Sequence, residues 1–290
     1  MGLRPLDFLI ALAVPVIWGM GFVFAKGAIG HFPPILLMAL RFTVTALALV
    51  WFVKAPVALF RQIAVIALIS AAIQYSMTFT ALQYLNASTA GIVVQLETPL
   101  LVLMGWAVLG DKPSYRKMIG IAVSFSGVLL MTGDAQLQAE WFWLAVFIAG
   151  LVIWSYGQIL VRKLGEVGGF TLIAWVSAFA APQLYLSSFL FEQDQIRLIL
   201  EADWRVWGTV VYLGIVMTAF GYGLWYHLLG RYPVSQVGPF LLLIPVATLA
   251  GGILILGESA SFEVLAGGAV VVAGVAFILV ERRRPIPPPP

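Results

Sequence analysis

Residues 141–161 read WFWLAVFIAGLVIWSYGQILV, with no charged side chain between Glu140 and Arg162. A helix that crosses the hydrocarbon core of a bilayer needs about 20 mostly apolar residues, so this stretch is long enough to span one. Working outward from it in both directions, the same reading recurs. The chain divides into ten stretches of this kind: Phe8–Ala25, Pro33–Val53, Gln62–Leu82, Thr89–Leu109, Tyr115–Thr132, Trp141–Val161, Phe170–Leu190, Val206–His227, Ser235–Leu256 and Phe262–Glu281. Short charged or turn-forming segments separate them, such as Gly110-Asp111-Lys112-Pro113 and Gly257-Glu258-Ser259. Only Phe191–Arg205 leaves room for a surface segment, and residues 193–200 within it read as an interfacial helix. Pro285–Pro290 is a proline run that cannot be helical and reads as a disordered tail. The first stretch is too long for a cleaved signal peptide, lacks a small-residue cleavage site and is followed by nine more.

Composition agrees. Of the 290 residues 62% are apolar and 10% charged, against about 45–50% and 25% in soluble domains. The expected class is an all-α integral membrane protein whose main partner is the lipid bilayer. The pI near 9.2 does not point to nucleic acid, because the basic residues fall in short loops and form no exposed basic face. Without cysteine there is no disulfide framework, thiolate metal site or cysteine nucleophile.

Alternate loops differ in charge. One side receives Arg4, Lys54, Arg61, Lys112, Arg116, Lys117, Arg162, Lys163, Arg231, Arg282, Arg283 and Arg284; the other receives Lys26, Arg197 and Arg205. Basic loops stay in the cytoplasm, so both termini are expected there. Trp51, Trp106, Tyr115, Trp141, Trp143, Trp204 and Trp207 lie at span ends, where aromatic anchors belong.

The chain also resembles itself. Val16-Ile17-Trp18-Gly19-Met20-Gly21 matches Val152-Ile153-Trp154-Ser155-Tyr156-Gly157 at an offset of 136. An offset of 147 aligns Gly110-Asp111 with Gly257-Glu258, Tyr115 with Phe262, Gly120 with Gly267, Gly127-Val128 with Gly274-Val275, and Tyr75 with Tyr222; Pro99 and Pro245 miss it by one. Each repeat holds five spans, an odd number, so the second copy enters from the opposite side of the membrane. The expected units are residues 1–133 and 134–284, two inverted repeats around a central cavity. Inverted repeats are the architecture of secondary transporters, because two like halves can close a shared site toward either side at similar energy.

The pattern Ile17-Trp18-Gly19, Ala39-Leu40-Arg41-Phe42, and Pro99…Leu109-Gly110-Asp111 with Pro245…Leu256-Gly257-Glu258 resembles the EamA family of the drug/metabolite transporter superfamily. Within it the chain is most similar to the YddG-type aromatic amino acid exporters of bacterial inner membranes. Asp111 departs from the family's usual Glu at that position. The resemblance implies ten helices, with one to four and six to nine around the cavity and five and ten outside it.

Several side chains are candidates for the transport site. Trp18, Tyr75, Trp154 and Tyr222 lie well inside their spans, where an indole N–H or phenol needs a partner or a wet cavity. Gln74, Thr78, Gln158 and Tyr226 lie beside them or one turn away. Together they read as an aromatic, sparsely charged cavity for an amphipathic solute, with inter-helix packing as the alternative. Arg41 and Glu97 lie at matching depth within spans; intramembrane charges pair or line a pathway. The first expectation is an Arg41–Glu97 ion pair. The second is that the two meet the carboxylate and ammonium of an amino acid, and Glu97 is also a candidate for proton uptake in coupling. Lys26 and His31 read as snorkelling groups and His227 as packing. Pro99 and Pro245 free the carbonyls of Gln95 and Leu241 and mark candidate gating kinks.

Other chemistry is unsupported. Gly19-Met20-Gly21 sits inside a span, and there is no Walker lysine motif, HExxH or paired histidine, so no metal site, cofactor or enzymatic activity is expected. The sequon Asn86-Ala87-Ser88 lies too close to the bilayer to be used. The reading is an inner-membrane secondary carrier for aromatic and other neutral amino acids, working by alternating access with no obligate protein partner. The alternatives are a broad drug/metabolite exporter and, lower, a membrane enzyme or sensor; phosphorylated-sugar exchange would need more cavity cations than Arg41.

Overall fold

The computed structural model describes residues 3–165, 167–232 and 234–279, so the proline run 285–290 lies outside the described residues. These residues form helices and no strand. The long helices are α1 (Pro5–Ile29), α2 (Pro34–Phe52), α3 (Val57–Tyr84), α4 (Ala87–Leu109), α5 (Tyr115–Met131), α6 (Trp141–Leu164), α7 (Gly169–Phe191), α8 (Trp204–Leu229), α9 (Gly238–Leu256) and α10 (Phe262–Leu279). All but α5 are long and apolar enough to cross a membrane. At 17 residues, α5 spans only about 25 Å against a hydrocarbon core of roughly 30 Å. Large apolar side chains such as Leu129, Leu186 and Leu254 point outward, Leu254 being 82% exposed, as a lipid-facing surface requires. The protein is a multi-pass membrane protein.

Short helices lie between the long ones among the described residues, one of them, Val234–Val237, running directly into α9. Gln195–Glu201 occupies the place read as interfacial. Ala135–Ala139 was not expected; the Asp134 side chain caps it by accepting from the Leu137 amide at 2.8 Å. Gly110 and Gly257 end α4 and α9 in the left-handed conformation, with φ of 77° and 68°, the usual helix stop where only glycine escapes a Cβ penalty.

Helix ends alternate between two faces, here the N-terminal face and the opposite face. Small residues let the helices close on one another, the way packing is achieved where lipid supplies no hydrophobic drive between helices. In α5 and α10, a Cβ on Gly127 would lie 2.6 Å from the Gly267 carbonyl, and one on Gly120 2.8 Å from that of Gly274. The pair is therefore antiparallel and in backbone contact. Helices α4 and α9 are also antiparallel, since Gly91 meets Thr248 and Gln95 meets Leu241. Helix α1 runs parallel to α9, with Gly19 against Ala247 and Val23 against Gly251. Helices α3 and α6 pair through Thr78 and Gly150, and α2 and α7 through Thr43 and Tyr185.

The regular helix is interrupted at matching places. Wide π turns occupy Leu68–Ile73 in α3 and Tyr212–Phe220 in α8, each ending shortly before Tyr75 or Tyr222. Tight 3-10 turns occupy Val94–Leu96 in α4 and Gly238–Leu243 in α9, just before Pro99 and Pro245. The Leu241 carbonyl, four residues before Pro245, accepts a hydrogen bond from Gln95 Nε2 of α4 at 2.9 Å. Gln95→Leu is expected to orphan that carbonyl, at a cost of about 1–3 kcal/mol, and to lower the melting temperature in detergent. Adding Pro245→Ala restores an N–H nearby, so the double variant should melt higher than Gln95→Leu alone. An unchanged melt for Gln95→Leu would show that the side chain is not the carbonyl's support.

Candidate functional site

A cavity of about 140 Å³ lies between α2, α3, α6, α7 and α8. Its deepest wall is Arg41 and Phe42 of α2, Tyr75 of α3, Ser177 of α7 and Thr218 of α8. From there it runs past Trp154, Gln158, Tyr222 and Tyr226 to Val161 and Leu172, which lie within a turn of the ends of α6 and α7 on the N-terminal face.

Arg41 is 1% exposed and bears on the cavity. Its guanidinium carbon sits 5.0 Å from the Tyr75 ring centroid and 5.4 Å from that of Phe42, stacking that holds the plane in place. Its Nε–H donates to Thr218 Oγ1 at 3.0 Å, and Thr218 in turn donates to the Leu213 carbonyl, five residues back. That i to i−5 reach exists because this part of α8 is a π turn. The Met38 sulfur lies 3.8 Å from Nη1. No carboxylate lies within 4 Å of the guanidinium among the described residues.

The expected Arg41–Glu97 ion pair is therefore corrected. The two charges match in depth, but Arg41 turns toward the α3 and α8 aromatic cluster. Glu97 begins the regular part of α4 after its 3-10 turn, outside the cavity lining, and has neither a hydrogen bond nor an ion pair among the described residues.

The remaining candidates separate by whether they have a protein partner. Tyr75, Trp154, Gln158, Tyr222 and Tyr226 line the cavity, and their hydroxyl, indole and amide groups make no hydrogen bond among the described residues. Trp18 does not line it: its Nε1 donates to the Met217 carbonyl at 3.1 Å and its ring packs behind Tyr222 at 5.1 Å. Gln74 and Thr78 do not line it either. They bond to each other at 3.0 Å against α6, where Gly150 leaves the room. Reading those three as lining is corrected for one reason. Helical spacing places a residue on a face, whereas contact with a neighbouring helix decides what that face meets.

Ser177 was not singled out from the sequence. Ser70 and Ser155 fold their hydroxyls onto the carbonyl four residues back, the default for serine in a helix. Ser177, 1% exposed, does not, and its Oγ is left without a partner at the cavity wall.

Toward the opposite face the helices are held by ring stacking and by caps. Phe79 stacks on Tyr75 at 5.4 Å and on Phe22 at 6.2 Å, beyond the Tyr75 end of the cavity. Tyr84 stacks flat on Trp143 at 4.0 Å, so Trp143 is a packing group as well as a span-end aromatic. Glu192, after α7, accepts from the Ile35 and Leu36 amides at 2.7 and 2.9 Å and so caps α2. Burial pushes its carboxyl above the usual range while those amides and Ser188 pull it down. Glu258, after α9, accepts from the Ala87 and Ser88 amides at 2.6 and 2.9 Å and from Ser88 Oγ at 2.6 Å, capping α4. This also occupies the sequon's serine.

One charged cluster lies apart, on the N-terminal face. Asp7, 1% exposed, takes Tyr232 Oη at 2.7 Å, His227 Nε2 at 3.0 Å and Arg231 at 3.5 Å, tying α1 to the end of α8. Asp7 was missed because an acid in a first helical turn reads as an ordinary dipole partner.

The model of the EamA-like transporter family matches the chain twice, over residues 6–133 and 141–280. A probable amino-acid metabolite efflux pump of Salmonella typhimurium is 30% identical over 279 residues, covering 93% of each chain. The protein of the same description from Escherichia coli is 27% identical with the same coverage. A probable terminal-alkyne amino-acid exporter of Streptantibioticus cattleyicolor is 26% identical over 69% of this chain and 66% of its own. A crystal structure at 22% identity superposes with a TM-score of 0.63, covering 95% of this chain and 96% of the other, a likeness of fold.

Proposed function

We propose that this chain, which belongs to the EamA-like transporter family and is a transporter rather than an enzyme, exports aromatic and other neutral amino acids across a bacterial inner membrane. The observation that carries the reading is the buried Arg41 guanidinium, facing a cavity of aromatic polar groups, with no carboxylate beside it and no hydrogen-bond partner for those groups among the described residues. An isolated buried cation is costly, so a site built around one favours an anion. A substrate carboxylate would accept from the free N–H groups of Arg41 and from Ser177 Oγ. Its side chain would lie among Tyr75, Trp154 and Tyr222, and its ammonium near Gln158 and the Tyr226 hydroxyl.

In this reading the chain crosses the membrane ten times, as two inverted five-helix units divided near residue 133. Both termini are cytoplasmic, so the structure is the inward-open state. Alternating access moves α4 and α9, which bend at the 3-10 turns before Pro99 and Pro245. The relatives described as amino-acid efflux pumps and an amino-acid exporter support the substrate class.

The test is counterflow in proteoliposomes with labelled tryptophan, phenylalanine and threonine, tryptophan amide, and a quaternary ammonium dye, with and without a pH gradient. The expected result is uptake of the three amino acids and little of the amide or the dye, because Arg41 repels a cation and rewards a carboxylate. Uptake of the dye with no amino acid signal would replace this reading with a broad drug exporter. A rate indifferent to the pH gradient would remove Glu97 as a coupling group.

A further inference from the structure

The Gly-Asp and Gly-Glu loops that the repeat superimposes are built alike but bonded differently. Gly110 and Gly257 are both left-handed, and the amides that follow bond back to matching carbonyls, Asp111 to Gly105 at 3.3 Å and Glu258 to Gly252 at 3.0 Å. Glu258 caps α4 through the amides of Ala87 and Ser88. The offset of 147 carries Ala87 and Ser88 to Val234 and Ser235, at the start of the helical segment that leads into α9. The equivalent acid, Asp111, makes no such cap among the described residues. It is exposed, and its Oδ2 accepts from Arg162 Nη1 at 2.6 Å.

The basic partners correspond as well. The offset of 136 that matches α1 to α6 carries Lys26 to Arg162. On the opposite face Lys26 Nζ donates to the Leu82 and Gln83 carbonyls at the end of α3, both at 2.8 Å. Their equivalents at 147 are Leu229 and Gly230, at the end of α8. Glycine usage fits the same asymmetry. A Cβ on Gly252 would run into the Ser88 hydroxyl and the Glu258 carboxylate, so any larger residue would push those two bonded groups aside. A Cβ on its equivalent Gly105 would meet nothing within 4 Å, so this state gives no reason for glycine in the last turns of α4.

We propose that the protein carries one latch twice, shut on the opposite face and open on the N-terminal face, and that the two exchange during transport. In the shut form the acid caps the facing helix and the base holds the C-terminal carbonyls of a third helix. In the open form acid and base pair with each other. When the N-terminal face closes, Asp111 leaves Arg162 for the amides opening α9, Arg162 takes the Leu229 and Gly230 carbonyls, and Gly105 admits the approaching chain. Glu258 then falls back on Lys26. An exposed ion pair holds little, whereas a carboxylate on helix N-terminal amides holds more, so each shut latch stabilises its own state. The inference rests on the alternating-access reading above.

Because the chain has no native cysteine, spin-label pairs can be placed cleanly. Gln83→Cys with Ser259→Cys reports the opposite face, and its repeat equivalent, Gly230→Cys with Lys112→Cys, reports the N-terminal face; all four positions are exposed. In reconstituted protein, E258Q should lengthen the 83–259 distance and shorten the 112–230 distance. D111N should do the reverse, each by roughly tenfold in the population ratio. Ser88→Ala, which removes one bond of the shut latch, should move the populations the same way as E258Q by less, and serves if E258Q folds poorly. G105A should resemble D111N. Shifts in the same direction for E258Q and D111N, or none in either, would overturn the proposal. The distances are read without substrate, so opposite shifts in a protein that moves no amino acid would retain the latch and remove the substrate assignment.

Discussion

Arg41→Ala is expected to abolish counterflow of tryptophan, phenylalanine and threonine while leaving the fold at least as stable as the wild type. The two halves of this expectation follow from one observation. The guanidinium is buried, stacked on Tyr75 and Phe42, and bonded to Thr218, with no acid beside it among the described residues. A charge-assisted bond to a buried partner is worth about 1.5–3 kcal/mol, and losing one side of a buried charge pair costs 2–5 kcal/mol or more. Affinity for a carboxylate should therefore drop by roughly tenfold to several thousandfold. Stability should not follow, because the cation lacks a compensating acid and an arginine at mid-bilayer is unfavourable by about 2.5–3.5 kcal/mol on insertion scales.

Arg41→Lys should keep some transport, since a lysine supplies the charge without the planar fork that stacks and bonds at once. Counterflow and thermal melting in detergent, run on the same preparations, read the two halves separately. If Arg41→Ala melted several degrees lower and transport fell only in proportion to folded protein, the residue would be a structural strut and the carboxylate site would be lost. Tryptophan amide gives a further check. Its weak transport should not fall in Arg41→Ala and should rise, because it has no carboxylate to lose and the repelling cation is gone.

The sequence made the crossings legible because solvation by lipid is a coarse constraint. A run such as Trp141–Val161 has to be a helix, whatever its neighbours, since unpaired backbone is not tolerated there. The 147 offset located α5 with α10 and the two glycine turns. It did so because backbone contact between helices admits only small residues, which leaves a trace in one dimension. The rotation of each helix about its axis was not legible. In water, the polar stripe of a helix marks the outside and the apolar stripe the core. Here both are apolar, so Trp18, which packs behind Tyr222, looks the same as Trp154, which lines the cavity. Arg41 and Glu97 share a depth, and depth is all that counting along a span provides. The caps by Glu192 and Glu258 were hidden for a related reason. Each acid serves a helix more than 150 residues away in the chain, and in sequence it is only a polar residue in a loop.

The second large effect lies away from the cavity, where α5 meets α10. Gly127→Val should destabilise the protein severely without changing its affinity for substrate. A Cβ at Gly127 would lie 2.6 Å from the Gly267 carbonyl oxygen and 2.6 Å from the Val271 amide nitrogen. Both are backbone atoms of a regular helix, so no side chain can turn aside, and the helices have to separate until the contact reaches an ordinary distance. Separation also releases the neighbouring close approaches at Gly120 and Gly274, because the four glycines share one interface. Overpacking a tight core typically costs about 1–3 kcal/mol, and here the loss extends along the pair, so the upper end or beyond is expected. Helix α5 has little else to hold it, because it packs almost wholly against α10. The matched control is Gly208→Ala in α8, where a Cβ would meet nothing within 4 Å and the higher helix propensity of alanine should add up to about 1 kcal/mol. Thermal melting in detergent should place the two variants on opposite sides of the wild type. Protein that survives Gly127→Val should still bind tryptophan with wild-type affinity, because no cavity residue comes from α5 or α10. An unchanged melt would mean that the glycines merely permit this contact. A loss of affinity in the surviving protein would mean that the α5–α10 pair shapes the cavity from outside it.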